Sequence, residues 1–242
     1  MANMKYLLNR RSFIPLMVLF SFIDNFGMEA EEARYGFKVL FVGDAGVGKT
    51  QILNKFVNNK FAGAHDLTLG VEMYSKLIKI HETKIKLQFW VCGGSLKYRS
   101  IIRSYYQNSR LIVLVYAVDD VDSFKHIREW VADVKAQTDE NAKFLLVGNK
   151  CDLKEKRQVA VVEAQQYAKD NNMEFIEVSA KDGFNINIMF DSSLSKLLKY
   201  MEVEEKKKEE IQFENHDKNI DIKHINNNLS FCNKYCSCCP CL

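Results

Sequence analysis

Hydrophobic and polar positions along the chain alternate between strand-like and helix-like patterns. Phe37 to Val42 is a β-rich apolar run, and helical periodicity follows, with Ile52, Leu53, Phe56 and Val57 on one face. Asn58 to Gly70 is polar and irregular. Val71 to Ile80 alternates as a strand does, His81 to Thr83 reads as a turn, and Lys84 to Trp90 reads as the next strand. That connection is too tight for a helical crossover and predicts an antiparallel hairpin. Leu111 to Val118 is nearly all apolar, the pattern of a buried parallel strand. Asp120 is placed to cap a helix whose Val121, Phe124, Ile127, Val131 and Val134 form one stripe. Lys143 to Gly148 predicts a further buried strand, Val159 to Lys169 a helix, Glu174 to Val178 a short strand, and Asn185 to Met201 an amphipathic helix. The alternation predicts an α/β fold: a six-stranded, mostly parallel sheet with one antiparallel strand and helices on both faces. Ligand loops gather at the carboxyl ends of the strands in such a sheet.

Both ends of the chain break the pattern. Lys5, Arg10 and Arg11 precede an apolar run from Phe13 to Ile23, which resembles the charged and hydrophobic regions of a signal peptide. The run is short for a membrane span, Pro15 interrupts it, and no small-residue cleavage site follows. An uncleaved anchor, a surface helix, and an upstream extension absent from a working protein that starts at Met28 are the three readings; the last is preferred. Residues 1–35 are therefore taken as an extension and 36–201 as the domain. Residues 202–231 are charge- and Asn-rich and are expected to form a disordered tether. From Glu202 onward 6 lysines face 8 acidic residues, so charge alone would not hold this segment on an anionic membrane. Residues 232–242 hold five of the seven cysteines, a poor disulfide framework for a domain of this size. A net charge of +3, with no concentrated basic face, gives no sign of a nucleic-acid partner.

The chemistry concentrates after the first strand. Gly43-Asp44-Ala45-Gly46-Val47-Gly48-Lys49-Thr50 matches the phosphate-binding P-loop, with a strand before it and a helix after it, as that motif requires. The glycines let the backbone turn and aim N–H groups inward, and the following helix N-terminus favours an anion. Lys49 would reach the β- and γ-phosphates, and the Thr50 hydroxyl would bind Mg²⁺. Asn149-Lys150-Cys151-Asp152 follows the fifth strand. A carboxylate there accepts hydrogen bonds from guanine N1–H and its exocyclic amine, whereas adenine would leave Asp152 unpaired. Ser179-Ala180-Lys181 follows the sixth strand, where a backbone N–H can meet guanine O6. A glycine-rich turn and two polar strand-to-loop junctions are the plainer explanations of each motif alone. Order and spacing argue against coincidence of all three. A P-loop kinase or ATPase is the rival that Asn149 to Asp152 disfavours.

In these motifs the chain resembles the Ras superfamily of small GTPases, and within it the Rab branch, from about Phe37 to Met201. His65-Asp66-Leu67-Thr68-Leu69-Gly70-Val71-Glu72 resembles a Rab switch I, Lys86 to Trp90 the K-L-Q-I-W strand, and Ser104-Tyr105-Tyr106 the S-Y-Y after switch II. The resemblance implies GTP or GDP as ligand with Mg²⁺. It also implies that Thr68 binds the ion and senses the γ-phosphate, that Phe61 lies across the guanine, and that the Gly94 N–H contacts the γ-phosphate. Met73, Trp90 and Tyr105 take the positions of the apolar effector-binding triad, Met73 replacing the usual Phe; core packing is the plainer reading for Trp90 and Tyr105. Effector proteins, an exchange factor, prenylation machinery and a GDP-dissociation inhibitor are the partners implied. The location implied is the cytoplasmic face of an intracellular membrane, Golgi or early secretory by the wording of switch I.

Switch II departs from the family's W-D-T-A-G-Q-E: here it reads Trp90-Val91-Cys92-Gly93-Gly94-Ser95-Leu96. Val91 replaces the Asp that helps hold Mg²⁺, and Ser95 replaces the Gln that orients the attacking water. Nucleotide binding is expected to survive, with weaker Mg²⁺ binding and slow hydrolysis. A hydrolysis-deficient scaffold without a nucleotide cycle is the alternative. The chain ends Cys236-Ser237-Cys238-Cys239-Pro240-Cys241-Leu242, which resembles a Rab double-cysteine prenylation signal and also fits C-a-a-X. Lipids on Cys238 and Cys239 would give stable anchoring. A zinc site built from the thiolates is the competing reading.

Overall fold

A computed structural model describes residues 33–63, 67–68, 70–80, 82–95 and 99–207. The N-terminal apolar run, the greater part of the expected tether and the cysteine tail lie outside the described residues. Six strands form one sheet in the order β2-β3-β1-β4-β5-β6: β1 Tyr35–Val42, β2 Val71–Ile80, β3 Thr83–Cys92, β4 Leu111–Ala117, β5 Lys143–Asn149 and β6 Glu174–Glu177. Only β2 runs antiparallel to its neighbour, in a hairpin that sets Met73 opposite Trp90 and Glu72 opposite Val91. This is the expected α/β architecture.

Alternation along the strands divides the core in two. Phe37, Val39 and Phe41 of β1 pack with Ile52 and Leu53 of α1 (Lys49–Asn58) and with Phe190, Leu194 and Leu198 of the last helix, α6, over 186–207. Leu40 and Val42 point the other way, toward Ile127, Trp130 and Val134. On that side lie α3 (Val121–Lys125), α4 (Ile127–Lys135) and α5 (Val161–Asp170), with a single short turn of helix, α2 (Arg99–Ile102), after β3. β1 and β4 are neighbours, yet the helices that follow them cover opposite faces. That divergence opens a crevice at the strands' carboxyl ends, the switch point of an open α/β sheet.

Two elements differ from the hydrophobic pattern. The expected stripe of Val121, Phe124, Ile127, Val131 and Val134 packs on one core cluster, but its helix divides into α3 and α4 at His126, whose side chain bonds Asp44. Asp120 caps α3 as expected, accepting from the Asp122 and Ser123 N–H groups. The last helix passes Met201 and runs to 207, because its charged turn finds partners: Tyr35 donates to Glu205 at 2.6 Å, and Arg110 lies 3.8 Å from Glu204.

Candidate functional site

A cavity of about 580 Å³ occupies the crevice. The loop after β1 supplies Ala45, Gly46, Gly48, Lys49 and Thr50, and the loop after β3 supplies Gly94 and Ser95. Asn149, Lys150 and Asp152 come from the loop after β5, and Ala180 and Lys181 from the loop after β6. Phe61 and Thr68, between α1 and β2, close one side. The three motifs far apart in sequence thus line one cavity.

At the phosphate-loop end the glycine requirement is geometric. Gly48 has φ +96°, and a Cβ there would lie 2.2 Å from Asn149 Nδ2. Lys49 donates to the Gly43 and Asp44 carbonyls at 2.8 and 2.7 Å. Its ammonium is buried, and burial pushes its pKa down to about 8. An anion in the cavity would offset that desolvation. Gly94 packs against the same loop: a Cβ on it would fall 2.1 Å from the Ala45 nitrogen.

Three predicted residues do not line the cavity. The Asp44 carboxylate points away, accepting from Trp130 Nε1 at 2.7 Å and sharing a 2.6 Å bond with His126 Nδ1. It clamps the loop to α4, and the bond holds the His126 imidazolium above its ordinary pKa. Val47 is a core side chain. Ser179 Oγ donates to Asp152 Oδ1 at 2.8 Å, so it holds the carboxylate in place.

Asn149 is a strut. Its Nδ2 donates to the Val47 carbonyl at 2.8 Å and its Oδ1 accepts from the Ala180 N–H at 3.1 Å. One buried amide therefore ties the phosphate loop to the loop after β6. The Ala180 amide is committed to Asn149, which leaves the neighbouring Lys181 amide, with no acceptor among the described residues, as the donor available to a base. Lys150 adopts φ +66° and its Nζ lies 3.3 Å from Asp119. Arg157 makes a two-pronged bond to Glu177, fixing the span that follows Asp152 onto β6.

Thr50 Oγ1 and Thr68 Oγ1 are 2.8 Å apart. Neighbouring oxygens around an octahedral Mg²⁺ with bonds of roughly 2.0–2.1 Å are about 2.9 Å apart, so the two hydroxyls fit that ion. Val91 is fully buried among core side chains and offers no oxygen there. Sequence reasoning missed Glu72, whose Oε2 lies 3.5 Å from Thr50 Oγ1, because only the β2–β3 register brings it there. It also missed Gln51, which lines the cavity and accepts from the Ala62 N–H at 3.1 Å.

On the other face of the hairpin Met73 is 57% exposed opposite Trp90, and the Trp90 and Tyr105 rings lie 5.4 Å apart. Lys38 sits over the Trp90 ring and donates to the Tyr105 carbonyl. The three predicted residues are adjacent, with Trp90 and Tyr105 half-buried and Met73 open. Cys238 and Cys239 lie outside the described residues.

A sheet of this order with a P-loop at its switch point defines a phosphate-loop nucleotide-binding fold of the small G-protein kind. The model of the Ras family matches residues 38–199, and the chain belongs to that family, the small GTPases. It is similar to Ras-related protein Rab-2B of Dictyostelium discoideum, 39% identical over 166 residues, which are 69% of this chain and 82% of that protein.

Proposed function

We propose that this chain is a Rab-type molecular switch that binds GTP and GDP and acts in vesicle traffic at an intracellular membrane. The observation that carries the reading is the composition of the one cavity: phosphate loop at one end, the Ser179-held Asp152 carboxylate at the other. The carboxylate selects guanine by accepting from its N1–H and amine, and the Lys181 amide supplies a donor for O6. Lys49 and the loop amides hold the phosphates. Thr50 and Thr68 are the residues that would hold Mg²⁺, which when bound neutralises phosphate charge. Met73, Trp90 and Tyr105 form the surface that an effector reads, and lipids on Cys238 and Cys239 attach the chain to the membrane. The likeness to a Ras-related protein Rab-2B supports the Rab assignment, and the wording of switch I supports a Golgi or early secretory location.

Val91 and Ser95 make hydrolysis slow. Ser95 lines the cavity at the lip, where its hydroxyl presents one group against the donor and acceptor of an amide. Single-turnover GTP hydrolysis by the purified full-length chain tests this. The rate should fall below the roughly 10⁻⁴ to 10⁻² s⁻¹ of ordinary members, and hydrolysis within that range refutes it.

The burial of Val91 also favours a second reading, a scaffold with no nucleotide cycle. The Gly93 N–H donates to the Gly70 carbonyl at 2.7 Å, tying switch I to the segment after β3. Capture of the same partners by the GDP- and GTP-loaded protein supports the scaffold; capture by the GTP form alone supports the switch.

A further inference from the structure

Within the proposed guanine-nucleotide reading, on which it rests, the site lacks one carboxylate. The strand position at which the resembled family carries the Asp that helps hold Mg²⁺ carries Val91, a core side chain. Its pairing partner across the hairpin is Glu72. Directly opposed residues of an antiparallel pair project to the same face, with Cβ atoms about 4.5–5.5 Å apart. β2 residues of even number do turn to that face, since Tyr74 and Ile78 pack on the same core cluster as Val91. The Glu72 carboxylate thereby reaches the Thr50 hydroxyl at 3.5 Å and accepts from the Tyr74 hydroxyl at 3.2 Å. No cation pairs with it among the described residues.

We infer that Glu72 is the acidic positioning residue of the Mg²⁺ site, supplying from β2 the carboxylate that Val91 has removed from β3. Its Oε2 accepts a hydrogen bond from the Thr50 hydroxyl, which turns that oxygen's lone pairs toward the ion. Its negative charge lies behind the Thr50 hydroxyl, on a half-buried side chain. Tyr74 keeps the carboxylate turned toward Thr50 by holding its oxygen from the β2 side. Outer partners of metal ligands act in this way by orienting them and raising their basicity, and losing one costs about 10–100-fold in metal affinity. Among the described residues no trio of His, Cys, Asp or Glu converges on one point.

The test is the free Mg²⁺ concentration that half-maximally slows release of a fluorescent GDP from the full-length chain, read alongside the affinity of Mn²⁺ by electron spin resonance. Glu72→Gln keeps size and removes charge. It should raise the half-saturating Mg²⁺ and weaken Mn²⁺ by about 10–100-fold, while release without metal stays unchanged. Val91→Asp added to Glu72→Gln should restore most of the loss by returning the carboxylate to β3. Tyr74→Phe controls for structure: it removes the other bond to Glu72 and should cost less than Glu72→Gln. Should Glu72→Gln fail to fold, Glu72→Asp answers in its place, since the shorter acid should weaken the metal without altering metal-free release. Unchanged Mg²⁺ dependence in Glu72→Gln, or the same loss in Tyr74→Phe, overturns the assignment. A wild-type chain that takes up no guanine nucleotide overturns the underlying reading and the assignment with it; one that binds GDP with no response to Mg²⁺ overturns the assignment alone.

Discussion

Replacing Asn149 with alanine removes the strut between the phosphate loop and the loop after β6. Asn149 is 2% exposed and makes two buried bonds, to the Val47 carbonyl and from the Ala180 N–H. Truncation leaves both backbone groups without their partner. An orphaned buried group costs roughly 1–3 kcal/mol, so the two together cost about 2–4 kcal/mol once some water enters the gap. For a domain of this size that is a fall of roughly 4–16 °C in Tm. Thermal unfolding followed by circular dichroism, on GDP-loaded and nucleotide-stripped protein, measures it. The fall should occur in both states, because neither bond involves a ligand. Asn149→Asp should lose at least as much, since it keeps the acceptor for Ala180 but sets a negative oxygen against the Val47 carbonyl. A drop confined to the GDP-loaded protein would refute the reasoning and make Asn149 purely a ligand contact.

Gly94→Ala should lower Tm and weaken GTP more than GDP, because the new Cβ meets the Ala45 nitrogen and the Asp44 carbonyl carbon at 2.1 Å and must push switch II off the phosphate loop; equal loss for both nucleotides would refute the close-packing argument. His126 is raised above its ordinary 6.5 chiefly by the bond to Asp44, so its stabilising charge is fully present below pH 6.5 and is lost as pH climbs through the raised value. The Tm gap between wild type and His126→Ala should shrink over that climb, and a constant gap would contradict the clamp. Lys49 runs the other way: its pKa is lowered from 10.5 to about 8, so the nucleotide-stripped protein should gain stability between those values as pH rises. Lys49→Met should abolish that gain in a urea titration repeated across the range, and an identical slope in both proteins would refute it.

The architecture was legible because the central strands β1, β3, β4 and β5 carry buried apolar residues and announce themselves by composition. Leu111 to Ala117 is buried at every position, which is why its apolar run reads so plainly. The β2–β3 hairpin was legible from the short His81–Thr83 connection. What escaped the sequence depends on distant partners. The last helix passes Met201 because Glu205 meets Tyr35, 170 positions away, and nothing local in a run of Glu and Lys predicts that. The division at His126 coincides with a bond to Asp44, 82 residues earlier. The site divides in the same manner. Lys49 and Thr50 sit inside a contiguous motif whose spacing encodes its geometry, and Asp152 follows a strand end. Glu72 carried no signal of its own, since its meaning comes from facing Val91 across the hairpin. Ser179 and Asp44 sit inside legible motifs, yet their side chains position neighbours, a distinction that only the hydrogen bonds reveal.

We propose that one cavity grips a diphosphate and picks out guanine through Asp152. Titration of the full-length, nucleotide-stripped chain with fluorescent GDP and fluorescent ADP, beside Asp152→Ala, tests it most directly. Saturable GDP binding at micromolar concentration or tighter, no comparable ADP binding, and loss of the GDP preference in the variant are expected. Equal affinity for the two nucleotides, or no uptake of either, would contradict it.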